Sequence, residues 1–312
     1  MEKINIVLAI HDKTGQYTQH AVVTMISVIE NTKSSIVFHI LKDKYMNKKN
    51  VEQLIGLEEK YCNVSVELYD VEIDIKMELR NIKQFSIGTL YRLYMVDVLP
   101  IYVNKVIYLD SDIICNLDII SLWQQEMNGK SLAAVADQKV GEKDAFYFNA
   151  GVLLLNLKKI RDKYNFYVDN MNFLRRNPNA EFLDQDSLNY LFKHDVYRLE
   201  EKYNMPARYL MKKVNDFNNE ESWKGCIWHF NNPREKPWDV KKNKIDKLYW
   251  YYYSLSNYGN TFEKFYDSYS LVNPSVEDML KNGIVVSKRD FFRFMIDRFI
   301  REVEKCFRRI CK

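Results

Sequence analysis

The sequence predicts an α/β protein with a mostly parallel sheet flanked by helices. Three observations predict it. Short, nearly continuous apolar runs recur between Ile4 and Phe230, as strands covered on both faces require. Segments with apolar residues at three- and four-residue steps separate those runs. One run, Val106 to Leu109, ends in Asp110-Ser111-Asp112, where open α/β sheets place their ligands.

The elements follow in order. Ile4 to Ile10 (INIVLAI) reads as a buried strand. Gln19 to Glu30 is helical, with Val22, Met25, Ile26 and Ile29 on one face. Ile36 to Leu41 is a second strand, Asn47 to Tyr61 a charged helix, and Val64 to Tyr69 a third strand. Thr89 to Val98 is helical by pattern and stops before Pro100, since the residue before a proline is pushed out of the helical region. The strand carrying Asp110 follows, then Leu132 to Val135, ending at Asp137. Phe148 to Lys163 (FNAGVLLLNLKKIRDK) begins as a strand and becomes a helix. Asp184 to Lys193 is a helix with acidic residues at its start, where the helix dipole favours them. Cys226 to Phe230 (CIWHF) is a late strand.

In a chain with 22 Asp, an Asp-x-Asp triplet alone says little. The end of a buried strand gives this one meaning. The chain must turn there, and a turn lets both carboxylates converge on one ion. Hard divalent cations such as Mg²⁺ or Mn²⁺ take such oxygen ligands and can then hold phosphate. The strand context alone leaves a solvated loop or a helix cap open.

Composition excludes several classes. Hydrophobic residues make up 47% and charged residues 28%, as in ordinary globular proteins. The five cysteines are Cys62, Cys115, Cys226, Cys306 and Cys311. They form no Cys-x-x-Cys pair and are odd in number, which argues against a disulfide framework or zinc site and fits a reducing cytosol. The N-terminal apolar run is too short for a signal peptide, and no stretch approaches the length of a transmembrane helix. No Gly-rich dinucleotide or P-loop signature and no Gly-x-Ser-x-Gly elbow occurs. A nucleotide on this sheet would therefore have its phosphates held through a metal.

Six motifs then stand in one order: LYRLYMVDVLP (Leu90 to Pro100), VIYLDSDII (Val106 to Ile114), LAAVADQ (Leu132 to Gln138), YFNAGVLLLNLKKIR (Tyr147 to Arg161), FLDQDSLN (Phe182 to Asn189) and HFNNPREKPW (His229 to Trp238). In this the chain resembles glycosyltransferase family 8, over roughly Ile4 to Trp238. The nearest members are the bacterial lipopolysaccharide α-galactosyl- and α-glucosyltransferases. The resemblance implies a GT-A fold and a retaining, Mn²⁺-dependent enzyme with a UDP-hexose donor; Mg²⁺ is the alternative ion. Galactose and glucose both remain open as the hexose.

The resemblance also implies roles, residue by residue. Asp110 and Asp112 match the family's metal-binding carboxylates, with Ser111 between them at the donor. His229 matches the third metal ligand and Lys236 the diphosphate-contacting lysine. Arg92 matches a donor-contacting arginine. Asp137, Asn149, Asp184 and Gln185 match residues around the donor sugar, and Gln185 the residue beneath the anomeric carbon. An amide is a poor nucleophile, so Gln185 favours a same-face internal-return route over the carboxylate nucleophile of retaining glycosidases. Asp186 is the second catalytic candidate, and it reads equally as an N-terminal helix acid. Ala9, Asp12 and Tyr17 match the uracil-end contacts, where a stacked Tyr would contribute roughly 1–3 kcal/mol. The chain departs from the family at His11, which replaces an Asp, in the extra residues before Tyr17, at Asn232 where Gly is usual, and by one extra residue before Lys236.

These readings divide the chain into a catalytic domain, residues 1–245, and a C-terminal helical region, residues 246–312. From Ser287 to Lys312 stand nine basic and four acidic residues, a net of +5 against +4 for the whole chain, so the rest sums to −1. Phe292, Met295, Ile296, Phe299, Val303, Cys306, Phe307 and Ile310 form the apolar face of an amphipathic helix. A basic amphipathic helix suits an anionic membrane surface; a docking helix or an oligomer contact is the competing reading. The expected setting is the cytoplasmic face of the cell membrane, with a glycan or lipid-linked acceptor. No basic stripe with interleaved aromatics points to nucleic acid. The competing function is a catalytically weak UDP-sugar-binding or scaffold protein, motivated by the altered first loop.

Overall fold

The structure is a computed structural model that describes residues 3–73, 87–137, 146–207, 224–232, 236–238 and 246–258. The chain divides into two compact units. The first takes residues 1–206 and 219–229, and the second takes 207–218 and 230–312.

The first unit is built on a seven-stranded sheet. Its strands are β1 (Ile4–Ile10), β2 (Ile36–Lys42), β3 (Val64–Asp70), β4 (Lys105–Leu109), β6 (Leu132–Ala136), β7 (Phe148–Asn156) and β8 (Val196–Arg198), in the spatial order β3-β2-β1-β4-β7-β6-β8. The pairs β1–β2, β2–β3, β1–β4 and β6–β8 are parallel. Strand β7 runs against both neighbours, β4 and β6. The mostly parallel sheet expected from the sequence is present, with β7 as its reversed member. Leu8, Ile107, Leu153 and Leu154 are fully buried in it, each such side chain contributing roughly 1.5–3 kcal/mol.

A second, three-stranded sheet has the order β5-β10-β9. It joins β5 (Ile113–Asn116) to β10 (Cys226–His229) antiparallel, and β10 to β9 (Met205–Pro206) parallel. Strand β5 follows directly on the Asp110–Asp112 turn, so this small sheet carries the late His229 back to that turn.

Helix α1 (Thr18–Asn31) buries nearly its whole length, including Val22, Met25, Ile26 and Ile29. Its own N-cap residue, Tyr17, makes no side-chain cap; Asp12 does that work from outside the helix. Helix α2 (Lys48–Lys60) starts where Asn47 accepts from Asn50 N–H, the ordinary Asn N-cap. The segment expected to be a helix over Thr89 to Val98 is a 3₁₀ helix over Ile87–Tyr94 and only then α-helical, α3 (Met95–Val98). The tighter winding turns Thr89 and Arg92 toward the same buried acid, Asp184. After α3, Arg161 donates to the carbonyls of Leu99 and Val103, fixing the turn into β4. The later helices are α4 (Ile120–Trp123), α5 (Leu157–Lys163), α6 (Phe166–Arg176) and α7 (Asp184–Leu191). Helix α6 was not anticipated from the sequence; only Phe166, Asn170, Met171 and Leu174 of its surface are buried.

The described part of the second unit is α8 (Asp246–Ser254) with an aromatic cluster in which Trp238 and Tyr253 both pack on Tyr249. The expected boundary at residue 245 falls inside this unit. The amphipathic stretch from Ser287 lies outside the described residues, and among these no helix is long and apolar enough to cross a membrane.

Candidate functional site

The site forms where β4 ends. Asp110 N–H donates to Gly151 O at 2.9 Å, which holds the start of the turn against β7. Thr24 on α1 donates to the carbonyls of both Ser111 and Ile113, at 3.0 and 2.8 Å. The turn is thereby clamped from two sides, and its carboxylates have a fixed place.

The pairing of β10 with β5 sets His229 opposite Ile113. His229 Nε2 then lies 3.3 Å from Asp112 Oδ1 and 3.7 Å from Asp110 Oδ2. Ligand atoms of the three residues lie within 4.8 Å of one another. Gly151 makes this approach feasible. A Cβ there would fall inside the imidazole, 2.7 Å from Nδ1 and 2.9 Å from Nε2.

Two carboxylates and an imidazole at this spacing suit a divalent cation of the Mn²⁺ or Mg²⁺ type. The close approach of two acids is costly without one. Ser111 Oγ between them is buried and has no hydrogen-bond partner, a polar atom that a ligand at this turn would satisfy. The donor set therefore fits a metal.

Arg92 lies behind Asp110 and is 5% exposed. Its Nη2 donates to Asp110 Oδ1 at 2.8 Å, its Nη1 to the Ala150 carbonyl at 2.5 Å and its Nε to the Thr89 carbonyl at 3.2 Å, while Asp184 Oδ2 lies 2.8 Å from Nε as an ion pair. Burial works against its charge, but Asp110 and Asp184 outweigh burial and hold the guanidinium firmly protonated. Asp184 also accepts from Thr89 Oγ1. Burial outweighs both partners and pushes the Asp184 carboxyl up to about 6.

Beside this ion pair lies the expected sugar-side group. Asp137 Oδ2 accepts from Asn149 Nδ2 at 3.1 Å and from Gln185 Nε2 at 3.2 Å. Gln185 Oε1 accepts from Ala150 N–H at 3.0 Å, so both ends of that amide are fixed. Helix α7, which carries Asp184 and Gln185, begins after Leu183 at φ 45°. A branched residue in that region stores of order 1–3 kcal/mol of strain. Asp186 holds the strained turn: its carboxylate accepts from Phe182 N–H and from the Tyr147 hydroxyl. The structure thus gives Asp186 the helix-start role, and Gln185 the place beside Asp137.

The remaining expected residues are Asp12, Tyr17, Ala9 and Lys236. Asp12 is 1% exposed. Its carboxylate accepts from Tyr17 N–H, Thr18 N–H, Thr18 Oγ1 and Asn50 Nδ2, so it caps the start of α1. Tyr17 is 37% exposed; desolvation of its hydroxyl, then the Asp112 and Asp110 carboxylates, push its phenol well up. Ala9 lies near the end of β1, paired with Leu41. Lys236 belongs to the second unit; there its ammonium donates to the Phe230 carbonyl at 2.7 Å and lies over the Trp238 ring.

Sequence reasoning missed Asn204. It is 4% exposed, accepts from or donates to His229 Nδ1 across 2.9 Å, and donates to Asn149 Oδ1 at 2.9 Å. It is the last residue of a short 3₁₀ turn that runs straight into a two-residue strand, where no periodicity marks it.

The model of glycosyl transferase family 8 matches residues 5–242. A lipopolysaccharide 1,2-glucosyltransferase of Escherichia coli is 28% identical over 205 residues, covering 60% of this chain and 59% of that protein. Glycosyltransferase GlyE of Streptococcus pneumoniae is 30% identical over 188 residues, covering 57% of this chain and 44% of that protein. The match therefore spans less than two thirds of the length of these curated relatives. Among solved structures, galactosyltransferase LgtC in complex with donor and acceptor sugar analogs superposes with a TM-score of 0.66 at 22% identity, over 81% of this chain and 96% of that one. That likeness establishes the fold, a GT-A-type sheet flanked by helices.

Proposed function

Because the chain belongs to glycosyltransferase family 8, we propose that it moves a hexose, galactose or glucose, from a UDP-sugar to a cell-surface glycan or lipid-linked acceptor, with retention at the anomeric carbon. The observation that carries this reading is the convergence of Asp110, Asp112 and His229 at the end of β4. These three would hold Mn²⁺. A bound divalent cation offsets the negative charge that develops on a departing diphosphate.

The chain's own residues supply the rest. Arg92 fixes the Asp110 carboxylate and neutralises part of the acid cluster. Asp137 and Asn149 offer directional acceptors and donors for sugar hydroxyls. Gln185, anchored through Asp137 and Ala150 N–H, would stand beneath the anomeric carbon. It carries no charge that could form a stable ester, which suits same-face internal return. Lys236 would add a second cation at the diphosphate. The basic stretch from Ser287 would bring the enzyme to an anionic membrane surface, where a lipid-linked acceptor is available.

The test is UDP release with Mn²⁺ from a panel of UDP-sugars, for the intact chain, for Asp112→Asn and with chelator added. Release from one sugar, lost in both controls, is the expected result and names the donor. UDP binding without release from any sugar in the presence of acceptor glycans favours the binding-protein reading. No UDP binding at all overturns the proposal.

A further inference from the structure

Asn204 stands 2.9 Å from His229 Nδ1 through its Oδ1, and the chain of bonds behind it has a fixed direction. The direction starts at a backbone group. Gly151 N–H can only donate, and it donates to Asn149 Oδ1 at 3.0 Å. The other end of the Asn149 amide, Nδ2, donates to the Asp137 carboxylate. Asn149 therefore cannot be turned around without setting two donors against each other at Gly151.

The next amide inherits that constraint. Asn204 shares Asn149 Oδ1, so its near end must be the donor, Nδ2, at 2.9 Å. Its far end is then an oxygen, and an oxygen opposite His229 Nδ1 requires a proton on Nδ1. Nε2, the nitrogen beside Asp112 and Asp110, is thereby the one presented for coordination. All of these groups lie in the first unit, and Asn204 and His229 are both almost fully buried.

We infer that Asn204 is a positioning residue that fixes His229 as the Nδ1–H form with Nε2 turned to the metal, and that it ties this ligand, through Asn149 and Asp137, to Gln185. The inference rests on the metal reading of the site. It adds that the metal side and the sugar side share one hydrogen-bonded frame, set by a single backbone N–H. Second partners of this kind typically change metal affinity 10–100-fold when removed.

The test uses the full chain and two readouts. The first is Mn²⁺ affinity by electron paramagnetic resonance, for wild type, Asn204→Leu and Asn204→Asp, each checked for fold by circular dichroism. Asn204→Leu removes the acceptor and should bind Mn²⁺ 10–100-fold more weakly. Asn204→Asp keeps an acceptor for Nδ1–H and should bind at least as tightly as wild type. Equal affinity for Leu and wild type overturns the inference; a wild type that binds no Mn²⁺ overturns the metal reading itself. The second readout is histidine ¹⁵N chemical shift in the metal-free wild type, with His229 assigned by His229→Gln. A proton on Nδ1 supports the inference, and a bare Nδ1 overturns it, whatever the variants do.

Discussion

Arg92 Nη2 donates to Asp110 Oδ1 at 2.8 Å, so one of the two carboxylates beside His229 is also one wing of a buried ion pair. The other wing is Asp184, 4% exposed in its side chain. The acid that would ligate a metal and the acid at the start of α7 are thus held by one cation.

Replacing that cation should show as stability before it shows as chemistry. Arg92→Met leaves two carboxylates without their partner, Asp184 of them almost fully buried, which should cost about 3–5 kcal/mol in urea unfolding. Adding Asp184→Asn removes the more deeply buried charge and should recover part of the loss. A double variant no more stable than Arg92→Met would show that Arg92 acts by packing alone.

Gly151 offers a cleaner test of the His229 position. A Cβ at Gly151 would enter the imidazole, and the backbone there is not among the positive-φ positions that strain other residues. Gly151→Ala should therefore cost about 1–3 kcal/mol by overpacking and weaken Mn²⁺ binding at least tenfold by displacing the ring. Calorimetric titration of Mn²⁺ against the variant measures the second effect directly.

The edge of the sheet supplies a pH prediction. Burial would raise the Asp195 carboxyl, but donors from Lys163, Ser131 and Tyr164 outweigh burial and hold it far below the usual carboxylate range. A carboxyl with a depressed folded-state pKa stabilises the fold above its unfolded value, about 3.9, and that stability fades as pH falls through the folded value. Urea midpoints at pH 7 and pH 3 should differ less for Asp195→Asn than for wild type. An unchanged difference would exclude Asp195 as a source of acid sensitivity.

The tail makes a separate, salt-dependent prediction. Each basic residue near an anionic surface contributes about 1 kcal/mol. Arg308→Glu with Arg309→Glu should therefore weaken cosedimentation with phosphatidylglycerol vesicles at least tenfold, and raised salt should weaken the wild type in the same direction. Equal binding of both proteins would return the tail to the docking-helix reading.

Much of the fold was legible because its strands are buried on both faces. INIVLAI, IVFHIL and the FNAGVLLLN run are apolar without alternation, and all three are strands of the main sheet. The pattern of Thr89 to Val98 reads as one ordinary helix although Ile87–Tyr94 is 3₁₀, because apolar spacing does not distinguish three residues per turn from 3.6 over two turns. Asp12 reads as a uracil-end contact only through the family resemblance. Only the folded loop shows that Asn50 of α2 and the first N–H groups of α1 take up its carboxylate.

By itself the sequence determined the kind of sheet, the strand that ends in Asp110 and Asp112, and His229 as a third candidate ligand, since apolar runs and ordered motifs are properties of neighbours along the chain. Tertiary structure alone decided what completes the site. The register of β10 on β5 and β9 sets His229 beside Asp112 and Asn204 behind its ring, and the β4–β7 pairing sets Gly151 where a side chain would exclude that ring. Strand register joins residues far apart in the chain through backbone hydrogen bonds, and a one-residue slip would turn each side chain to the opposite face.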